Sequence, residues 1–383
     1  MTAKRSIFEE VGPGERQPAA EGGLIDRGRA GSRRAVRVWL GILFVLVAAM
    51  IAVGGLTRLT DSDLSITEWR PVTGAIPPLS AEDWQAEFDK YRQIPEFIEQ
   101  NSWMTVEDFK SIYWWEWGHR QLGRAIGLVW ALGLLFLFAT RRVPPGWGGR
   151  LFLVGVLGGL QGAVGWWMVS SGLGNGMLDV ASYRLATHLG LAFVILGFIA
   201  WYYLTLGRPA AELLQARRSA DRAARAWATA LVHLTFLQVL LGALVAGIDA
   251  GRTFTDWPLM AGQILPPDPF DLSPVWRNFF ENESLVQFNH RIVGYLVVLA
   301  AVLAFARMRR APMESVRQTF AHAALMAVIQ MVLGIATVLM AAPAHVAIVH
   351  QVGAVVLWVL VLRARHMAIY PRGTAIQGGT ART

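Results

Sequence analysis

Four of the eight histidines in this chain stand at matching places in its two halves, each where a long apolar stretch begins. They are His119 in Glu116-Trp-Gly-His-Arg120, His188 in Ala186-Thr-His-Leu-Gly190, His290 in Gln287-Phe-Asn-His-Arg291 and His350 in Val349-His-Gln-Val-Gly353. Imidazole is the commonest metal-holding side chain, and burying it in a bilayer without a role is costly. Two such pairs suggest two bis-histidine metal centres, and for opposed histidines on membrane helices haem is the natural candidate. The competing reading makes them ordinary hydrogen-bond partners between helices, which explains one histidine better than four in a repeat. His233, His322, His345 and His366 lack repeat partners and take that plainer reading, although His345 lies near His350 in the sequence.

The halves differ beside the first histidine of each pair. Glu116 stands three residues before His119, whereas Gln287 stands three before His290. If the helix extends back that far, each shares a face with its histidine. A carboxylate can take protons or steady a developing positive charge; an amide cannot take protons at neutral pH. The first half then does chemistry and the second holds a permanent cofactor. The alternative is that Glu116 merely closes an acidic loop. Arg120 and Arg291 follow the same two histidines, where a guanidinium suits a carboxylate such as a haem propionate, or simply snorkels to water.

These residues must be carried by membrane helices. The 383 residues are 54% hydrophobic, which with so little charge is too apolar for a soluble protein. Several runs approach the roughly 20 apolar residues that cross a bilayer. Eight spans are expected: 36–56, 120–140, 150–170, 183–204, 227–248, 290–306, 318–341 and 346–362. No short apolar region with a cleavage site precedes the first, so no removable signal peptide is expected. Arginines crowd the N-terminus, alternate loops and the end of the last span, so the net charge of +8 reflects topology and not nucleic-acid binding. The positive-inside rule then places both termini in the cytoplasm, and the four paired histidines near the outer face.

The expected fold is all-α: eight transmembrane helices as two tandem four-helix bundles, a parallel internal repeat. Thr67-Glu68-Trp69…Pro77-Pro78 matches Thr255-Asp256-Trp257…Pro266-Pro267. His119-Arg-Gln-Leu-Gly123 matches His290-Arg-Ile-Val-Gly294, and Leu160-Gln-Gly-Ala-Val-Gly165 loosely matches Ile329-Gln-Met-Val-Leu-Gly334. The expected segments are a disordered Arg-rich tail over 1–35, an N-terminal half over 36–206 with a long outer loop at 57–118, a linker at 207–226, a C-terminal half over 227–366 and a tail at 367–383. The outer loop is dense in tryptophan and acidic residues, and a loop this long usually has a role. The absence of cysteine excludes disulfides, thiolate haem ligation and iron–sulfur clusters held by cysteine.

With these motifs the chain resembles the heme A synthase family, in the form found in Gram-negative bacteria and mitochondria. The resemblance rests on the run from Gly54 to Pro78, on Tyr91-Arg-Gln-Ile-Pro-Glu-Phe97 and on Met104 to Arg120, and it covers about 36–366. It implies conversion of haem O to haem A by oxidation of a ring methyl to a formyl group. It implies that His119 and His188 surround the substrate haem, that His290 and His350 hold a haem b, and that Glu116 takes part in the oxidation. Gram-positive members with a cysteine pair in the first loop have no counterpart here, so a thiol mechanism does not transfer. The expected setting is the bacterial inner membrane. The expected partners are membrane lipid, the haem O synthase that supplies substrate, an unidentified electron acceptor and a second copy of the chain.

Two other classes compete. A non-catalytic dihaem cytochrome b explains all four histidines but not the Glu116/Gln287 asymmetry or the loop. A repeat-built transporter calls for broken helices and charges at mid-depth; the spans lack acidic residues there.

Overall fold

The computed structural model describes residues 24–373 apart from Asn175. Eleven α-helices run through the described residues: α1 Leu24–Leu59, α2 Ala81–Tyr91, α3 Val106–Ala139, α4 Gly148–Gly172, α5 Ser182–Thr205, α6 Ala210–Arg218, α7 Arg222–Gly247, α8 Asn278–Glu281, α9 Glu283–Met308, α10 Glu314–Leu339 and α11 Ala344–Ile369. Eight of them, α1 from Ala30 together with α3, α4, α5, α7, α9, α10 and α11, are long and apolar enough to cross a membrane. The protein is therefore a multi-pass membrane protein.

The helices outrun the apolar stretches that announce them. α3 starts at Val106 and not near 120, because Thr105 caps it. The Thr105 hydroxyl accepts from the Asp108 N–H at 3.4 Å while the Asp108 carboxylate accepts from the Thr105 N–H at 2.9 Å. At α9 the Asn282 side chain accepts from the Leu285 N–H at 2.8 Å. Hydropathy sees only the lipid-facing part of a helix, whereas capping decides where the backbone begins to coil. Consequently Glu116 and His119 lie on one continuous helix, as do Gln287 and His290.

Other boundaries move as well. α1 begins at Leu24, inside the segment read as an N-terminal tail, and the rest of that tail lies outside the described residues. The linker 207–226 holds α6 and the first turn of α7, which Asp221 caps on the Ala223 and Ala224 N–H groups. α11 continues to Ile369, and most of the C-terminal tail lies outside the described residues.

The spanning helices pack as two sets of contacts. α1 and α4 each pack against α3 and α5; α7 and α10 each pack against α9 and α11. The histidine-bearing helices α3 and α5 thus stand diagonally across one group, and α9 and α11 across the other. The groups meet where α5 packs on α7 and α11, and α1 on α11. Phe193, Leu196, Ile199, Trp358 and Val361 are buried in the core that includes this seam, and the Trp358 indole donates to the Phe193 carbonyl at 2.9 Å. Lipid offers apolar helices no hydrophobic drive to associate, so close approach at small residues matters. Gly55 is such a place. A Cβ there would meet the Gln351 amide at 1.9 Å, and that amide donates to the Ile51 carbonyl at 2.7 Å.

Outside the spans, the loop between α1 and α3 folds into a cap with its own core. Leu64, Ile66, Phe88, Tyr91, Phe97, Phe109 and Tyr113 pack together with Met168, Val169 and Val180 from the α4–α5 corner. Arg58, buried at the end of α1, ties this cap to the other half. It reaches Asp61 at 2.8 Å, Asp179 at 3.4 Å and Asp249 at 2.8 Å.

Candidate functional site

Each of the four histidines rests against a glycine on a neighbouring helix. A Cβ added to Gly54 on α1 would lie 3.0 Å from the His119 ring, one on Gly165 of α4 2.8 Å from His188, one on Gly242 of α7 3.0 Å from His290, and one on Gly334 of α10 3.1 Å from His350. Any side chain there would push the ring toward the middle of its helix group. The glycines are notches that set ring position.

In the second half the two rings approach each other. His290 and His350 have ring centroids 6.5 Å apart with planes at 84°. A metal bonded to both imidazoles at about 2 Å would hold the centroids roughly 6 Å apart, so one atom fits between them. His119 and His188 stand at the matching places on α3 and α5, each beside its own glycine notch. Among the described residues there is no group of three or more histidine, cysteine, aspartate or glutamate side chains able to cage a bare ion. Two opposed imidazoles alone suit a metal that brings its remaining donors with it, as the iron of a porphyrin does. The donor set fits haem in both halves.

The spacing argument for Glu116 and Gln287 places both beside their histidines, and both are 3% exposed. Their partners differ. One Glu116 oxygen accepts from the Ser65 hydroxyl at 2.8 Å and the Ile66 N–H at 2.6 Å, and the other accepts from Arg120 at 2.5 Å. Gln287 instead donates to the Ala250 carbonyl at 2.7 Å and the Phe254 carbonyl at 3.1 Å, and accepts from Arg291 at 2.9 Å. The loop ahead of the helix offers donors to the carboxylate in one half and acceptors to the amide in the other. Glu116 is therefore built into the junction between cap and helix, not left at the end of an acidic loop.

Arg120 and Arg291 also face these loops. Arg120 donates to the Ile66 carbonyl at 2.7 Å and the Glu68 carbonyl at 3.0 Å; Arg291 donates to the Phe254 and Leu259 carbonyls, each at 2.9 Å. Both guanidiniums are engaged in fastening loop backbone over the site.

The loop tryptophans mostly pack on one another and on the cap. Trp84 lies against Tyr113 and Trp114, Trp114 against Trp117, and Trp69 on Trp166, the neighbour of Gly165. Further out, the cap buries two carboxyl groups. Burial pushes Asp63 up to about 7, against the opposing pull of Arg58. Burial, with Asp63 nearby, pushes Glu96 up to about 8, although it accepts from Tyr91 at 3.0 Å and Asn101 at 3.1 Å.

The sequence reading passed over several residues that shape these sites. Gln161, Gln238 and Gln330 each reach a paired histidine, and Ser65 and Ile66 hold Glu116. A signal for the glutamines was present. Gln161-x-x-x-Gly165 and Gln330-x-x-x-Gly334 lie in the matched runs quoted above, and Gln238-x-x-x-Gly242 has the same spacing. No spacing rule points to Ser65 or Ile66, because they reach Glu116 only through the fold of the cap. His233, His322, His345 and His366 are not joined to either pair by a hydrogen bond; His366 packs on Trp201 and Tyr370 at the far end of α11.

Comparison with known proteins agrees with this arrangement. Residues 37–362 match the family described as cytochrome oxidase assembly protein. A protein of Ruegeria pomeroyi named heme A synthase is 63% identical over 99% of this chain and 100% of its own length. One of the same name from Dinoroseobacter shibae is 63% identical over the full length of both chains. Another from Paracoccus denitrificans is 57% identical over 98% of this chain and 99% of its own.

Proposed function

The chain belongs to the cytochrome oxidase assembly protein family, and from that premise we propose that it is an enzyme converting haem O to haem A. It oxidises a porphyrin ring methyl to a formyl group, with water as the source of the oxygen. The observation that carries this reading is the contrast between two similar bis-imidazole sites, one beside a buried carboxylate and the other beside a buried amide. His119 and His188 hold the substrate haem in the first half, and His290 and His350 hold a haem b in the second.

The bound haem presents the methyl to be oxidised, and the protein's residues position and deprotonate. Two imidazoles from diagonal helices would hold the substrate haem in position between them, which is part of the orienting role in catalysis, while its rotation would be left to the surrounding side chains. Glu116, on the same face of α3 as His119, accepts protons released from the methyl and orients the attacking water. Ser65, the Ile66 N–H and Arg120 hold that carboxylate in a single position. Gln287 at the matching place has no such capacity, so a haem held by His290 and His350 would stay unmodified there and would supply one-electron chemistry toward an acceptor.

In this reading both termini lie in the cytoplasm and the histidines near the outer face of a bacterial inner membrane, an orientation that the arginine-rich ends and loops support. Each half forms one four-helix unit, with the junction at 207–226. A haem O synthase supplies the substrate, and self-association and contact with lipid complete the partners. The test is haem extraction with mass analysis of protein purified from cells that also make haem O. Haem b together with haem O or haem A is expected. Haem b alone at full occupancy would instead identify an electron carrier.

A further inference from the structure

Three of the four paired histidines share a device that the fourth lacks. On α4, α7 and α10 a glutamine stands one turn before the glycine that faces the ring. The Gln161 amide nitrogen lies 3.2 Å from Nδ1 and 3.3 Å from Nε2 of His188, and donates to the His188 carbonyl at 3.0 Å. The Gln238 nitrogen lies 3.1 and 3.3 Å from the same atoms of His290, and donates to its carbonyl at 3.0 Å. The Gln330 nitrogen lies 3.1 Å from Nδ1 of His350 and donates to its carbonyl at 2.6 Å. All three glutamine oxygens are buried and lack a hydrogen-bond partner among the described residues.

A metal-bound imidazole gives this pattern a meaning. A histidine that ligates through Nε2 carries its proton on Nδ1, and an acceptor there fixes the ring and raises its basicity. In each case one amide nitrogen contacts both the ring and the carbonyl of its histidine, and the amide oxygen is left without a partner. Turning the amide end for end would set that oxygen beside a ring N–H in exchange for the bond to the histidine carbonyl, so the glutamine can hold the ring in either sense.

At the fourth place, on α1, the residue one turn before Gly54 is Met50. It fills the volume that glutamine fills elsewhere. The Met50 Cε lies 3.2 Å from a Cβ built on Gly123, four residues after His119. The Gln238 nitrogen lies 3.1 Å from a Cβ built on Gly294, four residues after His290. A thioether donates nothing and accepts weakly. Among the described residues no hydrogen bond to the His119 ring is present, in contrast to the three bonded rings.

We infer that Met50 leaves His119 as the yielding axial ligand of the substrate haem, while Gln161, Gln238 and Gln330 anchor theirs. The inference rests on the reading of the first half as the substrate site. Its logic is that a substrate must enter and a product leave, whereas the cofactor of the second half must stay. One firm ligand, His188, and one loose ligand, His119, meet the first need; two firm ligands meet the second. The loose ligand is also the one beside Glu116. Met50 is thus a positioning residue that acts by withholding a hydrogen bond.

The experiment uses the full chain, purified from cells that make haem O, reduced, and titrated with carbon monoxide while each haem is followed by its own absorption. Carbon monoxide takes the place of a ligand that yields. In the wild type it should bind the first-half haem and leave haem b untouched. Met50→Gln should weaken that binding on the order of 10–100-fold, the usual scale for an outer partner of a ligand, at unchanged haem content. The reciprocal Gln238→Met should make haem b reactive. A Met50→Gln protein that keeps its haem and binds carbon monoxide as the wild type does would overturn the inference. Where Met50→Gln retains no haem, Gln238→Met decides, since a haem b that stays unreactive there overturns it equally. A wild type whose haem content is unaffected by His119→Ala and His188→Ala breaks the substrate-site reading itself, and the inference falls with it. A purely packing role for Met50 would change haem content but not ligand exchange at matched content.

Discussion

Glu116 and Gln287 stand at the same place in the two halves, equally buried and each followed four residues later by an arginine that bonds to it. The loop above the first presents a hydroxyl and an N–H; the loop above the second presents two carbonyls. The two sites are therefore not one site with a single substitution. Each of the two loops matches the hydrogen-bonding character of its own residue, acceptor in one half and donor in the other. An exchange of these residues disturbs the loop as well as the chemistry.

The comparison is broken most completely by removing ligands. His290→Ala or His350→Ala should abolish the low-spin haem b spectrum, since each deletes one axial ligand. His119→Ala or His188→Ala should leave that spectrum in place and remove the substrate haem. A variant in one half that empties both halves would show that the sites are not independent.

Glu116→Gln comes next. Conversion of haem O to haem A should fall by about 10²–10⁴-fold, the range for loss of a general base. The second-half haem b spectrum serves as the internal control for folding. The neutral amide cannot satisfy all three donors that converge on Glu116, so a local cost of about 1–3 kcal/mol is expected as well. Mass analysis of extracted haem decides the matter; a wild-type yield of haem A at matched expression would remove Glu116 from the chemistry.

A smaller effect is expected from the glycine notches. Gly242→Ala puts a methyl 3.0 Å from the His290 ring and should lower haem b occupancy about 10-fold, on the scale of other changes behind a ligand. Gly54→Ala should act on the substrate haem alone. Equal losses in both halves from either variant would argue against rings set separately by their own notches.

The smallest effect concerns the cap, which among the described residues packs as a unit in the first half. Asp63 at about 7 and Glu96 at about 8 lie above their usual carboxylate range because of burial. A carboxyl group whose folded value is raised favours the folded form fully below its unfolded value, and loses that advantage as pH rises to the folded value. The cap should therefore loosen between about pH 4 and pH 8. Hydrogen exchange over 60–105 should quicken across this window, and Glu96→Gln should flatten the response. Exchange that slows as pH rises, after correction for the intrinsic rate, would contradict the burial argument.

Much of this was legible in the residues. The four histidines, the eight spans and the Glu116/Gln287 difference all follow from types and spacing, because imidazoles recurring at matching places in two halves carry a signal that one alone does not. The long motifs from Gly54 to Pro78 and from Met104 to Arg120 pointed to the family that the comparisons then identified. The helix starts were harder. Thr105 and Asn282 begin α3 and α9 in sequence that hydropathy scores as loop. A cap is a short-range hydrogen-bond choice, and an apolar window cannot sense it.

What the tertiary structure alone decided lies across the helices. A chain read in order shows Gln161, Gln238 and Gln330 as polar residues inside spans and Met50 as one more apolar one; only the packing of α1 on α3 and of α7 on α9 reveals that Met50 and Gln238 occupy the same place behind different histidines. Likewise Ser65 and Ile66 meet Glu116 from about fifty residues away, through a cap whose core has no periodic signature. Sequence determined which groups could hold a metal or a proton, since that depends on the side chain itself. Which of those groups are held firm and which are left loose depends on partners brought together by folding, and those were set by helix packing and by the path of the outer loops.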